Sequence, residues 1–401
     1  GRVGGEELVE TLGRVFASML DIVHQRGGQL LKFGGDALLL FFPGQNHATQ
    51  ACCAAVEMRK ALRKAAEIPT SVGPLKLSMS VGLHSGLVDF FLVGTTHREL
   101  VLLGPAADAV VDVENAANAG QILVSPATAG QLPKSATRTR EDGELLLKWR
   151  KAPDPPRGAR PPRVISDVLL ASLFPRALGE YLAAGVPPPE HRIACIAFVK
   201  FSGTDAIFAE HGAEALADAL QQTIGHAQIC LEAEGVTLLA VDVDKDGGKL
   251  FLGAGVPFGH EDDEGVMLRA LKRIADKQQS LPLQIGVNRG HVFAAEVGAP
   301  GRAAYSAMGD TTNTAARITG QAPVGQIYAH PAVLDECLTL YDVTPSPPLT
   351  MKGKKEPLVA YQIGNEKGLR QREGLTVEAF FGRQDELTRV GTVIEAFESG
   401  R

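Results

Sequence analysis

The chain has 401 residues, a formal net charge of −6 and a pI of about 6.0. Its hydrophobic content of 45% is enough for two domains with separate cores, and the lack of a basic tract argues against a nucleic-acid-binding protein. We find neither a secretory signal nor an apolar run of about 18 residues, so we predict a cytoplasmic protein without a membrane span.

The first part of the chain alternates between helical and strand patterns. Predicted helices cover residues 8–23, 48–66 and 106–119, and predicted strands cover 30–33, 38–42, 75–83, 87–93 and 121–124. We expect the strands at 75–83 and 87–93 to form a hairpin around Ser85-Gly86. Helices mixed with hairpins on one sheet predict an α+β fold of ferredoxin-like type.

The sequence contains an internal duplication. Three segments recur in the same order at a nearly constant offset. They are Gly4-Gly5-Glu6-Glu7-Leu8 with Gly212-Ala213-Glu214-Ala215-Leu216, Gly82-Leu83-His84-Ser85-Gly86 with Gly286-Val287-Asn288-Arg289-Gly290, and Gly120-Gln121-Ile122 with Gly325-Gln326-Ile327. We therefore predict repeat 1 at residues 1–150 and repeat 2 at residues 191–364.

The segments outside the repeats differ in composition. A Pro- and Arg-rich stretch opens the predicted linker, residues 151–190, which also holds a predicted packed helix. Repeat 2 begins with a buried-strand pattern at residues 192–199, whereas repeat 1 begins too late to contain its counterpart. Because the first residue is also not Met, we expect a fragment whose repeat 1 lacks its N-terminal strand.

One short motif suits metal and phosphate binding. In Lys32-Phe33-Gly34-Gly35-Asp36-Ala37, the two glycines allow a tight turn and leave room for a phosphate beside the backbone. The Asp36 carboxylate at that turn can hold Mg²⁺. The same residues also suit an ordinary β-turn, and the motif alone does not decide between the two interpretations.

A second motif runs from Tyr305 to Arg317. Asn313 and Arg317 are four residues apart, so they share one face of a helix, where an amide and a guanidinium can hold a ribose and a phosphate. The alternative is a solvated helix face capped by Asp310 or Thr311.

Both motifs resemble those of the class III adenylyl and guanylyl cyclases, and Leu349-Thr350-Met351-Lys352-Gly353 resembles the closing strand of that family. The tandem layout is most similar to the soluble adenylyl cyclases. The resemblance implies two ferredoxin-like cyclase domains that form a pseudo-twofold heterodimer within one chain. It also implies ATP as substrate and Mg²⁺ or Mn²⁺ as cofactor, two ions per site.

The resemblance assigns roles to five residues. Asp36 would hold metal, Asn313 would position the ribose, and Arg317 would meet charge that develops on the α-phosphate. Lys352 would pair with the β- and γ-phosphates, and Ser306 would contact the base. Gly34, Gly35 and Lys32 belong to the same nucleotide-binding surface.

The two repeats complement each other in what they lack. Repeat 1 has Asp108 and Asp112 at the positions of Asn313 and Arg317, and two acids there would repel a triphosphate. Repeat 2 has Lys200 where the family has a metal-binding Asp. Repeat 1 is therefore expected to supply the metal side, and repeat 2 the ribose and transition-state side, of one composite site.

Several points stay open at this level. Leu239 stands where many adenylyl cyclases have an adenine-reading Lys, so a guanylyl cyclase is an alternative, as is an inactive pair that senses a nucleotide or anion. The resemblance places Lys32 at a degenerate second site that would bind bicarbonate. The acidic stretch Asp242 to Asp246 is interpreted as a solvated turn.

Two further resemblances concern neighbouring families. Gly34-Gly35-Asp36 is similar to the turn of diguanylate cyclases, but Ala37 stands where that family has an acid. Residues 380–387 resemble the entry to a signalling NTPase module, and residues 365–401 are its predicted start. No phosphate loop follows within the chain.

Overall fold

The computed structural model describes residues 2–34, 37–64, 68–70, 73–75, 77–150, 172–185, 189–277, 280–299, 302–350 and 357–370. The helices in this part of the chain are α1 Arg2–Gln25, α2 His47–Lys64, α3 Pro105–Asn115, α4 Pro126–Ala129, α5 Arg176–Ala183, α6 Thr204–Glu234, α7 Asp263–Asp276, α8 Asp310–Thr319 and α9 Pro331–Glu336. None of these helices is both long and apolar enough to cross a membrane.

The strands number from β1 to β18 along the described residues. They are β1 Gln29–Gly34, β2 Ala37–Phe41, β3 Ile68–Thr70, β4 Gly73–Leu75, β5 Val81–Leu83, β6 Asp89–Val93, β7 Glu99–Leu103, β8 Ile122–Val124, β9 Thr137–Thr139, β10 Leu145–Leu147, β11 Glu190–Ser202, β12 Thr237–Asp244, β13 Gly247–Ala254, β14 Leu283–Ala299, β15 Arg302–Met308, β16 Ile327–Ala329, β17 Thr339–Pro345 and β18 Tyr361–Leu369. The mixture of helices and largely antiparallel strands confirms the predicted α+β class.

Repeat 2 is built on one sheet of eight strands. Its order is β12-β13-β11-β14-β16-β18-β17, with β15 paired to β14. The central strand β11 is apolar along most of its length because both of its edges and both of its faces are covered. Helices α6 and α7 pack on the core side of this sheet.

Repeat 1 divides its strands among smaller sheets. Strands β1 and β2 pair with each other, β5-β8-β10-β9 form a second sheet, and β6 pairs with β7. The predicted hairpin of residues 75–83 with 87–93 is therefore wrong, because β5 pairs with β8 and β6 pairs with β7. The corresponding segment of repeat 2 is the single strand β14, which β11 holds straight along twelve residue pairs.

Two close approaches show that the repeats share a backbone plan. A Cβ on Gly82 would lie 2.4 Å from the backbone nitrogen of Glu114, and a Cβ on Gly286 would lie 2.3 Å from that of Thr319. Each glycine therefore lets a helix, α3 or α8, press directly on a strand. The predicted duplication thus corresponds to a packing that is the same in both repeats.

The repeats interlock through reciprocal hairpins. Phe91, Val93, Val101 and Leu103, from β6 and β7 of repeat 1, are buried in the core of repeat 2 together with residues of α6. In return, Val297 of β14 is buried in the core of repeat 1, and Met308 of β15 packs against that core. This exchange of apolar side chains fixes the two repeats face to face.

Candidate functional site

The predicted composite site, which we call the first cleft, would be formed by the β1–β2 hairpin of repeat 1 and helix α8 of repeat 2. Gly35, Asp36 and Lys352 lie outside the described residues, so their predicted roles rest on the sequence. Gly34 ends β1 and is exposed, and a Cβ placed on it would have only Ala37 Cβ and Asp242 Oδ1 nearby among the described atoms, each at 4.0 Å. Among the described atoms, the space beside the Gly34 backbone is therefore bordered by Ala37 and by the Asp242 carboxylate of repeat 2.

Helix α8 is held rigidly on the sheet of repeat 2. The Thr311 hydroxyl donates to the carbonyl oxygen of His291 (2.8 Å), and the Asn288 amide donates to the carbonyl oxygen of Thr311 (2.9 Å). The Thr312 hydroxyl donates to the carbonyl oxygen of Ala307 (2.8 Å). These bonds fix the first turn of α8 relative to β14 and β15.

The predicted ribose- and phosphate-binding residues lie on the accessible side of α8. Asn313 is exposed and Arg317 is half-buried, and neither side chain has a hydrogen-bonding or ionic partner among the described residues. Ser306 is half-buried on β15, opposite Ala295 of β14. The amide, the guanidinium and the hydroxyl therefore come from one element pair of repeat 2.

An apolar cluster links the end of β15 to strands β1 and β2, which flank the predicted metal turn. Met308, just before α8, packs against the same cluster as Phe33 and Leu38, which precede and follow the turn on β1 and β2. Met308 and both strands of the β1–β2 hairpin therefore pack against the same apolar cluster of repeat 1.

The second cleft is the pseudo-symmetric counterpart, between α3 of repeat 1 and the β12–β13 hairpin of repeat 2. Here Lys32 crosses the repeat boundary, and its ammonium group donates to the carbonyl oxygen of Val241. Burial lowers the pKa of Lys32, and the nearby carboxylates of Glu99 and Asp242 act in the opposite direction. Burial likewise raises the pKa of Asp242, against the effect of Lys32.

Helix α3 is bonded to repeat 2 through Asp108 and Asp112. Asp108 Oδ1 accepts from the backbone N–H of Asp246 (3.0 Å), and Asp112 pairs with Lys245 (2.8 Å). The interpretation of residues 242–246 as a solvated turn is therefore wrong, because this turn lies against repeat 1. No local pattern indicates this contact, since the partners are more than a hundred residues apart.

A neighbouring ion pair adds to this group. Lys200 of β11 pairs with Asp244 at 3.2 Å. Within the described ranges, no group of three or more His, Cys, Asp and Glu side chains is arranged to hold a metal ion. Lys200 and Lys245 of the second cleft are thus each paired with an acid of the same cleft.

Comparison with known families agrees with this geometry. A family model described as "Adenylate and Guanylate cyclase catalytic domain" matches residues 2–155 and 266–365, which is more than half of the chain. The chain belongs to this cyclase family. Apart from residues 151–155 and 365, the two matched segments fall within the ranges predicted for repeat 1 and repeat 2.

The curated relatives of this cyclase include adenylate cyclase type 10. The human protein (Homo sapiens) is 27% identical over 125 residues, and the rat protein (Rattus norvegicus) is 29% identical over 129 residues. Each match covers 31% of this chain but only 8% of the relative. The chain therefore corresponds to a small part of those proteins.

Solved structures similar to this cyclase include both nucleotide classes. The catalytic core of a rhodopsin-guanylyl cyclase with converted specificity, in complex with ATPαS, is 17% identical, with a TM-score of 0.40 over 45% of this chain and 99% of that chain. The adenylyl cyclase CyaB from P. aeruginosa is 19% identical, with a TM-score of 0.37 over 45% of this chain and 98% of that chain.

Proposed function

We propose that this cyclase pair converts ATP to 3′,5′-cyclic AMP and pyrophosphate at a single site, the first cleft. The observation that supports the proposal is the contrast between two equivalent helices. Asp108 and Asp112 on α3 are bonded to repeat 2, whereas Asn313 and Arg317 on α8 have no partner within the described part of the chain. Unpaired donors that face a cleft are the groups available to a nucleotide.

In the proposed reaction the ribose 3′-hydroxyl attacks the α-phosphorus and pyrophosphate leaves. Asn313 orients the ribose, Arg317 donates to oxygens of the α-phosphate as negative charge grows there, and Lys352 pairs with the leaving phosphates. Ser306 contacts the base. The planar guanidinium suits this role because it can donate to two oxygens at once.

The open backbone at Gly34, the carboxylate of Asp36 and the oxygen-rich substrate fit a divalent cation. When bound, two Mg²⁺ or Mn²⁺ ions would supply Lewis-acid chemistry at the attacking hydroxyl and the leaving phosphate. Asp36 is the residue of this chain that would hold them.

The proposal does not extend to bicarbonate at the second cleft. The Lys32 ammonium already donates to a carbonyl oxygen and lies beside Asp242 and Glu99, so an anion would have to displace these groups. The resemblance to an NTPase entry falls on residues 380–387, outside the described residues. It stays a prediction from the sequence.

The test is to incubate the full-length protein with ATP or with GTP, each with Mg²⁺ or Mn²⁺, and to quantify cyclic AMP and cyclic GMP. We expect cyclic AMP from ATP. A product from GTP alone would establish a guanylyl cyclase instead. If neither product forms while the protein still binds labelled nucleotide, the pair is an inactive sensor.

A further inference from the structure

Helix α5 belongs to the predicted linker but packs against repeat 2. It covers Arg176–Ala183, outside both segments that the family model matches. Its residues Leu178 and Tyr181 are each only 7% exposed. An isolated helix of eight residues is not stable in water, so contacts with the rest of the protein hold α5 in place.

The surface that holds α5 is the face of the repeat 2 sheet on which helix α8 also packs. Leu178 and Tyr181 share one buried apolar cluster with Tyr305 and Ala307 of β15 and with Ala315 of α8. Alternate residues of β11 belong to this cluster, and the residues between them belong to the core of α6 and α7 on the other face. The linker helix and the predicted nucleotide-binding helix therefore pack on the same side of one sheet.

Tyr181 reaches strand β15 through a contact between two aromatic rings. The ring centroids of Tyr181 and Tyr305 are 4.9 Å apart, and the ring planes meet at 63° in an edge-to-face arrangement. Aromatic pairs attract each other in this geometry and over this distance. The ring of Tyr181 thus lies against the residue that immediately precedes Ser306 in the sequence.

Strand β15 connects this ring contact to the proposed binding residues. Because side chains alternate along a strand, Ser306 lies on the face of β15 opposite to Tyr305 and Ala307. The carbonyl oxygen of Ala307 accepts from the Thr312 hydroxyl in the first turn of α8 (2.8 Å), and Asn313 is the next residue. A displacement of Tyr305 would therefore move Ser306 and the start of α8 together.

We propose that Tyr181 is a positioning residue of the first cleft: its ring holds Tyr305 in place and so fixes Ser306 and Asn313 for the base and the ribose of the nucleotide. This inference rests on the proposed function, because it concerns the same site. Tyr181 acts through Tyr305, from the opposite face of β15. The segment that joins the two repeats would thus take part in binding the nucleotide.

Steady-state kinetics of the full-length protein with ATP test this role. Ser306 and Asn313 are proposed to bind parts of the nucleotide that change little during the reaction, so their displacement should affect KM more than kcat. For Tyr181→Ala we expect KM to rise about tenfold and kcat to fall by less than about threefold. Tyr181→Phe keeps the ring and should have the KM of the wild type.

A second position on α5 separates positioning from a loss of stability. Leu178 is as buried as Tyr181 and belongs to the same cluster, but it has no ring to place against Tyr305. Leu178→Ala should lower the melting temperature about as much as Tyr181→Ala and leave KM unchanged when both are assayed well below their melting temperatures. Equal KM values for these two variants would show a structural role only and would overturn the proposal.

Two further variants keep the test decisive. If Tyr181→Ala does not fold, Tyr181→Leu fills the cluster without an aromatic ring and should show the same rise in KM. In a Ser306→Ala background the effect of Tyr181→Ala on KM should shrink from about tenfold to about threefold, because Tyr181 acts in part through Ser306. The same fold-change in both backgrounds would mean that the two residues act independently, which contradicts the proposal.

Hydrogen exchange distinguishes failure of this inference from failure of the proposed function. In Tyr181→Ala, amides of residues 305–313 should lose protection about tenfold, whereas amides of α2 in the core of repeat 1 should keep theirs. If these amides respond in a protein that forms no cyclic product, the ring contact positions β15 and the proposed function is wrong. If product forms and neither KM nor protection changes, the proposed function stands and the positioning role is wrong.

Discussion

The two clefts between the repeats share one backbone frame and differ in their chemistry. In each, a glycine on a strand lets a helix press against the sheet, and that helix presents two polar residues four positions apart. Asp108 and Asp112 are bonded to the opposite repeat, whereas Asn313 and Arg317 have no partner within the described ranges. A duplicated fold can thus use one interface edge for substrate and the other for holding the repeats together.

Giving the first cleft the acidic residues of the second should have the largest effect, which is on catalytic activity. In Asn313→Asp with Arg317→Asp, the first cleft would carry the acids of the second and repel a triphosphate, so we expect kcat/KM to fall by at least about a thousandfold. Steady-state assays of cyclic product measure this. Melting temperature serves as the control, since both positions are accessible and the fold should be unaffected.

The close packing between helix α8 and strand β14 should be almost as sensitive to substitution. Gly286→Ala would drive a Cβ into the backbone of Thr319, and we expect it to lower the free energy of unfolding by about 3 kcal/mol. Gly179→Ala is the matched control, because a Cβ there meets no atom within 4 Å and helix α5 should tolerate or favour it. Urea denaturation of both variants measures their free energies of unfolding. Equal values for the two would contradict the importance of this packing.

The buried charges of the second cleft should contribute less to stability than the packing at Gly286. Lys32→Ala would remove the cation that most favours ionisation of the buried Asp242, which Glu99 repels, so we expect a loss of about 2 kcal/mol of stability. The exposed Lys60→Ala should change stability by less than about 0.5 kcal/mol. Equal stability of the two variants would mean that Lys32 does not help to hold the repeats together.

Local patterns in the sequence predicted much of the fold. The apolar periodicity of residues 8–23 and 48–66 corresponds to α1 and α2, and the turn at Gly34 does separate two paired strands. The duplication also predicted that α3 and α8 would be equivalent. These features depend on neighbours within a few residues, which a single sequence displays.

Strand pairings and contacts between residues far apart in the sequence were not predicted. Nothing around Ser85 indicates that β5 and β6 enter different sheets, because this depends on which distant strands are available to pair with them. Likewise, the contact of Lys32 with Val241 and that of Asp108 with Asp246 join residues of different repeats. The sequence shows the charges but not which carboxylate each of them meets.

We propose that Arg317 acts on the substrate in a single composite site. A comparison of kcat for cyclic AMP formation between the full-length protein and its Arg317→Ala variant tests this role, with Arg176→Ala as an exposed-arginine control. We expect a loss of about a hundredfold to a thousandfold for Arg317→Ala and wild-type turnover for the control. Turnover by Arg317→Ala equal to that of the wild type would contradict the proposed role.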